Sequence, residues 1–99
     1  MNRKVKISET AERKLEKLFD SLLKNWSVKV KFDFIKKLDK SIKVIKLHPK
    51  IFPEVQKGSG LYRCAITKLT PLYYRFNTET IFIVTIFDTR QNPSNLKNS

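Results

Sequence analysis

Two arginines and a tyrosine in the second half of the chain, Arg63, Arg75 and Tyr73, are the side chains best suited to hold a phosphate or a carboxylate. A guanidinium fork binds such oxygens two at a time, and a phenol ring beside it can stack on a base. Lys68 and Arg90 extend that chemistry, the first from a short turn and the second from just beyond a β-rich segment. Arg63, Arg75, Arg90 and Lys68 are therefore the candidates for binding a target or its phosphates. Glu54 offers a carboxylate that could act as a base, the alternative being a solvated loop glutamate. Cys64 falls on apolar parity within its segment and reads as a packed core thiol, since free cysteine is among the most buried residue types. His48 stands beside Pro49 at a helix end, where a cation favours the negative pole of the helix dipole. One cysteine and one histidine build neither a disulfide framework nor the usual Cys and His zinc clusters, so no metal and no cofactor are expected.

Parity along the chain decides which of these side chains can meet. Segments 61–67, 72–76 and 81–87, rich in aromatic and β-branched residues, read as three strands. In the first, Tyr62, Cys64 and Ile66 share a face and Arg63 points away; in the second, Leu72, Tyr74 and Phe76 oppose Tyr73 and Arg75. If both apolar sets meet a helical layer, Arg63, Tyr73 and Arg75 share the open face. The third segment is apolar on both sides, as befits an interior strand. Turns are expected at 68–71 and 77–80, short enough to make the strands antiparallel neighbours.

The first half supplies the helical layer. Lys4-Val5-Lys6-Ile7 alternates and reads as an opening strand whose lysines discourage stray pairing. Ser8 is a good N-cap, with Glu9 and Glu12 in the first turn, and Ala11, Leu15, Leu18, Phe19, Leu22, Leu23 and Trp26 follow at helical spacing. Trp26 is expected in the core or closing the hairpin. Ser27 caps a second helix in which Val28, Phe32, Phe34, Ile35, Leu38, Ile42 and Ile45 gather opposite Lys36, Lys37, Lys40 and Lys43, a wet lysine face. Pro49 ends it. Both glycines of the protein fall within 49–60, which concentrates backbone freedom in one loop where mobility could serve ligand entry. The expected architecture is α+β: an N-terminal strand, a helical hairpin, then a three-stranded antiparallel meander with the helices on one face. Residues 1–92 form a single domain and 93–99 a polar tail.

Composition narrows the partner. The chain has 99 residues and a formal charge of +12, with 21 Lys plus Arg against 9 Asp plus Glu. That length leaves room for one core only. That imbalance points to a polyanionic or acidic partner. No apolar run is long enough to span a bilayer and no leader pattern opens the chain, so a cytoplasmic, membrane-free protein is expected.

The order of these pieces resembles the RelE/ParE superfamily of bacterial toxins. The resemblance is carried by "SETAERKL" opening the hairpin, the "LHPKIFPEV" joint, the "LYRCAI" and "PLYYRF" strands and the closing "IFIVTIFDTRQNP". It implies the toxin half of a type II toxin-antitoxin pair, a role in plasmid stabilisation, and an acidic antitoxin that wraps and neutralises the toxin. For the RelE-like branch it implies that arginines at the positions of Arg63 and Arg75, with Arg90 near the C-terminal end, clamp a messenger RNA phosphate on the ribosome. No histidine or tyrosine follows the last strand as a proton donor, which brings the chain nearer the ParE-like branch, associated with binding and inhibiting DNA gyrase. The alternatives are a ribosome-dependent messenger RNA endonuclease, with Tyr73, Lys68 or Glu54 assisting attack, and a nucleic-acid binder without toxicity.

Overall fold

The computed structural model describes residues 3–89. Strand β1 (Lys4–Ile7) leads into helix α1 (Glu9–Asn25), which turns sharply into helix α2 (Val28–Leu47). Strands β2 (Tyr62–Thr67), β3 (Thr70–Phe76) and β4 (Thr80–Ile86) follow. Both helix starts obey the capping chemistry of the sequence: Ser8 Oγ accepts from Ala11 N at 3.0 Å, and Ser27 Oγ accepts from Val30 N at 3.1 Å.

The strands form one sheet in the order β1-β4-β3-β2. The meander β2-β3-β4 is antiparallel, and β1 completes the sheet by pairing parallel to β4. A parallel pair needs a long connection. Here the helical hairpin carries the chain from the β1 edge to the β2 edge, α1 lying against β4 and α2 against β2, and the meander then steps back. The core is the space between helices and sheet, filled by Leu18, Leu22, Phe34, Leu38 and Ile45 from above and Cys64, Leu72, Tyr74, Ile81, Ile83 and Ile86 from below. Among the described residues, the other sheet face carries no helix.

Three expectations are corrected. The turn between β2 and β3 holds only Lys68 and Leu69, because Thr70 and Pro71 already belong to β3. Pro71 has no N–H to give, but its carbonyl accepts from Phe87 N at 3.1 Å, so the missing donor faces the chain just past the end of β4, beyond the paired Leu72 and Ile86. Trp26, expected in the core or closing the hairpin, is the C-cap of α1 at the hairpin corner and, at 60% exposure, lies outside the core. Val28 and Phe32, expected on the buried face of α2, are exposed. Each lies six residues before a buried one, Phe34 or Leu38, and six residues at about 100° each leave it roughly 120° off the buried stripe.

Candidate functional site

Antiparallel pairing sets Arg63 of β2 directly opposite Tyr73 of β3, with Arg75 two residues further along β3. Their neighbours in sequence point the other way, Cys64 and Tyr74 being buried at 1% and 0% exposure. Arg63, Tyr73 and Arg75 therefore stand together on the helix-free face. Arg75 is the diagonal neighbour of Arg63, at about 7–8 Å between the side-chain roots. Two like charges at about 7 Å in water repel by only about 0.6 kcal/mol. The fold tolerates that, and an anion set between the two forks would relieve it.

The helix-side residues hold this pair of strands rigidly. Tyr62 stacks on Tyr74 at 5.6 Å between ring centroids and meets Phe76 at 5.2 Å. The Tyr74 hydroxyl donates to Pro49 O at 2.7 Å, which ties β3 to the end of α2. Burial pushes the Tyr74 phenol well above its ordinary ionisation range, so it stays a donor. Burial likewise pushes the Cys64 thiol up, against an opposing hydrogen bond with Ser41, and Cys64 is a core thiol.

The loop before β2 folds over Arg75. Val55 N donates to Leu61 O at 2.7 Å and Arg63 N donates to Pro53 O at 3.0 Å, so this segment is a small hairpin riding on the outer edge of β2. The Glu54 carboxylate closes it, accepting from Gly58 N at 3.3 Å and Gly60 N at 2.8 Å. The Glu54 carboxylate is thus engaged by this turn, in bonds that stay exposed to solvent. Gly58 and Gly60 adopt φ of +83° and +73°, a region that side-chain-bearing residues avoid. Their glycine character serves this closed turn. Arg75 Nη1 donates to Ser59 O at 3.0 Å, which fixes one of its five donors and orients the fork.

The β3–β4 pair carries a bulge that shapes the same face. Tyr73 pairs with Thr85 and Tyr74 with Ile83, so Val84 is the extra residue. Its carbonyl accepts from Ser8 Oγ at 2.7 Å, and Ile83 O accepts from Ser8 N at 3.0 Å, so the cap of α1 also anchors the bulge. Tyr73 meets Phe87 edge-on at 5.9 Å, and Lys14 Nζ sits over Phe87 at 3.8 Å. Thr85 Oγ1 is buried there without a hydrogen-bond partner.

Lys68 does not join the arginines. It lies in the β2–β3 turn, five residues along from Arg63, about 16 Å at strand spacing. There it lines a cavity of about 440 Å³ with Leu22, Val30, Asp33, Phe34 and Lys37 under the helices. Arg90 lies outside the described residues. His48 is the C-cap of α2 and lines a separate cavity of about 600 Å³ with Arg3, Lys50 and Phe76. Among the described residues no cluster of His, Cys, Asp and Glu could hold a metal ion, and no helix is long and apolar enough to cross a membrane.

Two residues of the open face escaped the sequence reading. Register aligns Lys6 of β1 with Phe82 of β4, and Phe82 with Arg75 of β3. The signal was present in the alternation of Lys4-Val5-Lys6-Ile7, which turns the lysines outward once Val5 packs on the core. Lacking was the knowledge that β1 lies beside β4.

The sequence matches the family described as the ParE toxin of the type II toxin-antitoxin system, parDE, over residues 5–93. Comparison with curated proteins finds no significant match. The fold is similar to a chain of the chromosomal ParDE system from P. aeruginosa, with a TM-score of 0.70 at 11% identity, covering 87% of this chain and 95% of that one. It is similar to one in the E. coli DinJ-YafQ toxin-antitoxin complex, with a TM-score of 0.62 at 10% identity over 91% and 96% of the two chains. It is also similar to YoeB from Staphylococcus aureus, solved as a dimer, with a TM-score of 0.60 at 15% identity over 86% and 94%. At such identities the structural likeness is one of fold.

Proposed function

Because this chain belongs to the ParE toxin family of type II toxin-antitoxin systems, we propose that it poisons DNA gyrase by binding it, through the open sheet face, and that an acidic antitoxin neutralises it. The observation that carries this reading is the joint exposure of Arg63 and Arg75 around Tyr73, with the nearby carboxylate of Glu54 already committed to two backbone N–H groups. That geometry grips anions, and the strands that bear it hold no carboxylate to serve as a base. His48, the chain's one histidine, faces the cavity at the end of α2 instead. A charge of +12 favours fast, salt-sensitive capture by an acidic partner. The DinJ-YafQ neighbour supports a protein antitoxin as that partner. A gyrase target would place the action in the cytoplasm.

Supercoiling of relaxed plasmid by purified gyrase tests the reading. Inhibition that rises with toxin and disappears when the acidic product of an adjacent reading frame is added supports it. Undiminished supercoiling at toxin well above gyrase concentration refutes it. One observation favours a second reading, ribosome-dependent cleavage of messenger RNA: Arg63 stands directly across from Tyr73, so a phosphate clamped by the guanidinium would lie beside a phenol. Primer extension on translated messages would then show codon-positioned cuts that vanish in Arg63→Ala.

A further inference from the structure

Where α2 ends, a cavity of about 600 Å³ opens between the helix terminus, the residue before β1 and the last residue of β3. Its volume is that of a small-molecule site. Arg3, His48 and Lys50 line it with basic groups, and Leu47, Ile51 and Phe76 with apolar ones. Phe76 packs toward the helices beside Tyr62, whereas Arg75 before it points through the alternation of the strand to the opposite sheet face. The cavity is therefore separate from the arginine surface.

Its walls are held by bonds to neutral groups. Arg3 Nε donates to Asn77 O at 3.0 Å and Arg3 Nη1 to Lys46 O at 3.1 Å, and the guanidinium carbon stands 5.9 Å from the centroid of the Phe76 ring. Two of the five guanidinium donors are thus placed on carbonyls and three remain. The Tyr74 hydroxyl grips Pro49 O, and Ile51 N donates to His48 O at 3.0 Å, so the chain that leaves α2 is fixed as well. Among the described residues no carboxylate lies within ion-pair distance of Arg3, His48 or Lys50, whereas Lys29 and Lys43 of α2 each find an aspartate of their own helix.

A helix end attracts cations on its own account, and the size of that attraction decides how many it explains. The carbonyl pole of α2 amounts to about half a negative charge. Arg3 and Lys50 bring two full positive charges to it before His48 is counted. Most of that charge is left over. Beside it Leu47 and Ile51 remain 55% and 59% exposed. Surplus cations next to wet apolar side chains call for a ligand that answers both.

We propose that the cavity at the end of α2 binds a small amphiphilic anion, a phosphate or carboxylate joined to a compact apolar body. Arg3 and Lys50 hold the anionic oxygens, His48 adds a donor at the rim, and Leu47, Ile51 and Phe76 receive the body.

Titrations of the ¹⁵N-labelled full chain at constant ionic strength test it, read at the backbone amides of Lys50, Ile51 and Asn77. The probes are phenyl phosphate and phenylacetate, set against inorganic phosphate and benzyl alcohol, which carry the charge or the ring alone. At least one amphiphilic probe should give saturable shifts with a Kd of about 1 mM or tighter, and each half-probe should bind at least about fivefold more weakly. Lys50→Glu should weaken binding at least about fivefold, and Ile51→Ser about fivefold. Lys36→Glu makes the same change of charge elsewhere on α2 and should leave binding as it was. Lys50 and Ile51 are exposed, so circular dichroism and thermal melting of these variants should match the wild type. Shifts still linear at about 10 mM of both amphiphilic probes, inorganic phosphate binding as tightly as phenyl phosphate, or equal losses in Lys36→Glu and Lys50→Glu would overturn the proposal.

Discussion

Ser8 both caps a helix and anchors a bulge with one hydroxyl, and the two contributions can be measured apart. Its oxygen accepts from Ala11 N at 3.0 Å as the cap of α1, and its proton goes to Val84 O at 2.7 Å, the bulge carbonyl opposite Tyr73. Ser27 caps α2 with a single exposed bond to Val30 N. Removing a cap costs about 1 kcal/mol, and leaving the part-buried Val84 carbonyl unpaired adds about another 1 kcal/mol. Ser8→Ala should therefore lose about 2 kcal/mol, and Ser27→Ala about 1 kcal/mol or less. For a domain of this size each kcal/mol moves the melting point by about 4–8 °C, so the expected drops are about 8–16 °C and up to about 8 °C. Urea unfolding followed by circular dichroism, with unchanged m-values, gives both numbers. Ser8→Asp isolates the bulge anchor, since a carboxylate still caps but cannot donate to Val84, and it should recover at most half of the loss. Equal destabilisation by Ser8→Ala and Ser27→Ala, or full recovery by Ser8→Asp, would show that the bulge anchor contributes nothing.

Three further outcomes are expected. Glu54→Ala frees two backbone N–H groups of the small hairpin, so trypsin should cut after Lys57 about tenfold faster, for a loss of about 1.4 kcal/mol in local closure; an unchanged rate contradicts the closing role of Glu54. Arg63→Ala should raise the toxin concentration needed to inhibit supercoiling at least about tenfold while moving stability by less than about 0.5 kcal/mol, as a surface change does. In that assay an unaltered dose response removes Arg63 from the target surface. Stability should be level up to about pH 9 and fall above it, because Cys64 and Tyr74 are both held neutral in the fold above their ordinary values of 9.0 and 10.0. The unfolded chain then releases protons that the folded chain retains, costing up to about 1.4 kcal/mol per pH unit for each group. Urea midpoints from pH 8 to 11 follow this, and Tyr74→Phe should flatten the part above pH 10.

What the sequence revealed was whatever depends on near neighbours. The caps at Ser8 and Ser27 are local chemistry, and both helices begin where those residues dictate. Strand parity is equally local, so the outward placement of Arg63, Tyr73 and Arg75 against the inward Cys64 and Tyr74 could be read two residues at a time. The remainder depends on distant partners. The bulge at Val84 is held by Ser8, 76 residues earlier. Pro71 looked like a turn residue, and its missing N–H is harmless inside β3 because it faces Phe87, just past the end of β4. Val28 and Phe32 looked apolar enough for the core, but they stand about 120° off the buried stripe of α2, and Trp26 is the exposed C-cap of α1. Lys6 and Phe82 became part of the candidate site only when β1 was found beside β4.

That last pairing bears on when the molecule can act. Lys4 meets Thr80 across the parallel ladder, and a ribosome adding about 5–20 residues per second makes the second some 4–15 s after the first. Until then β1 has no strand to bond with, and its outward lysines guard it from wrong ones. The candidate surface draws on every strand, so a nascent chain lacks it entirely. Whatever this surface binds can be bound only once the last of these strands has been synthesised and has docked.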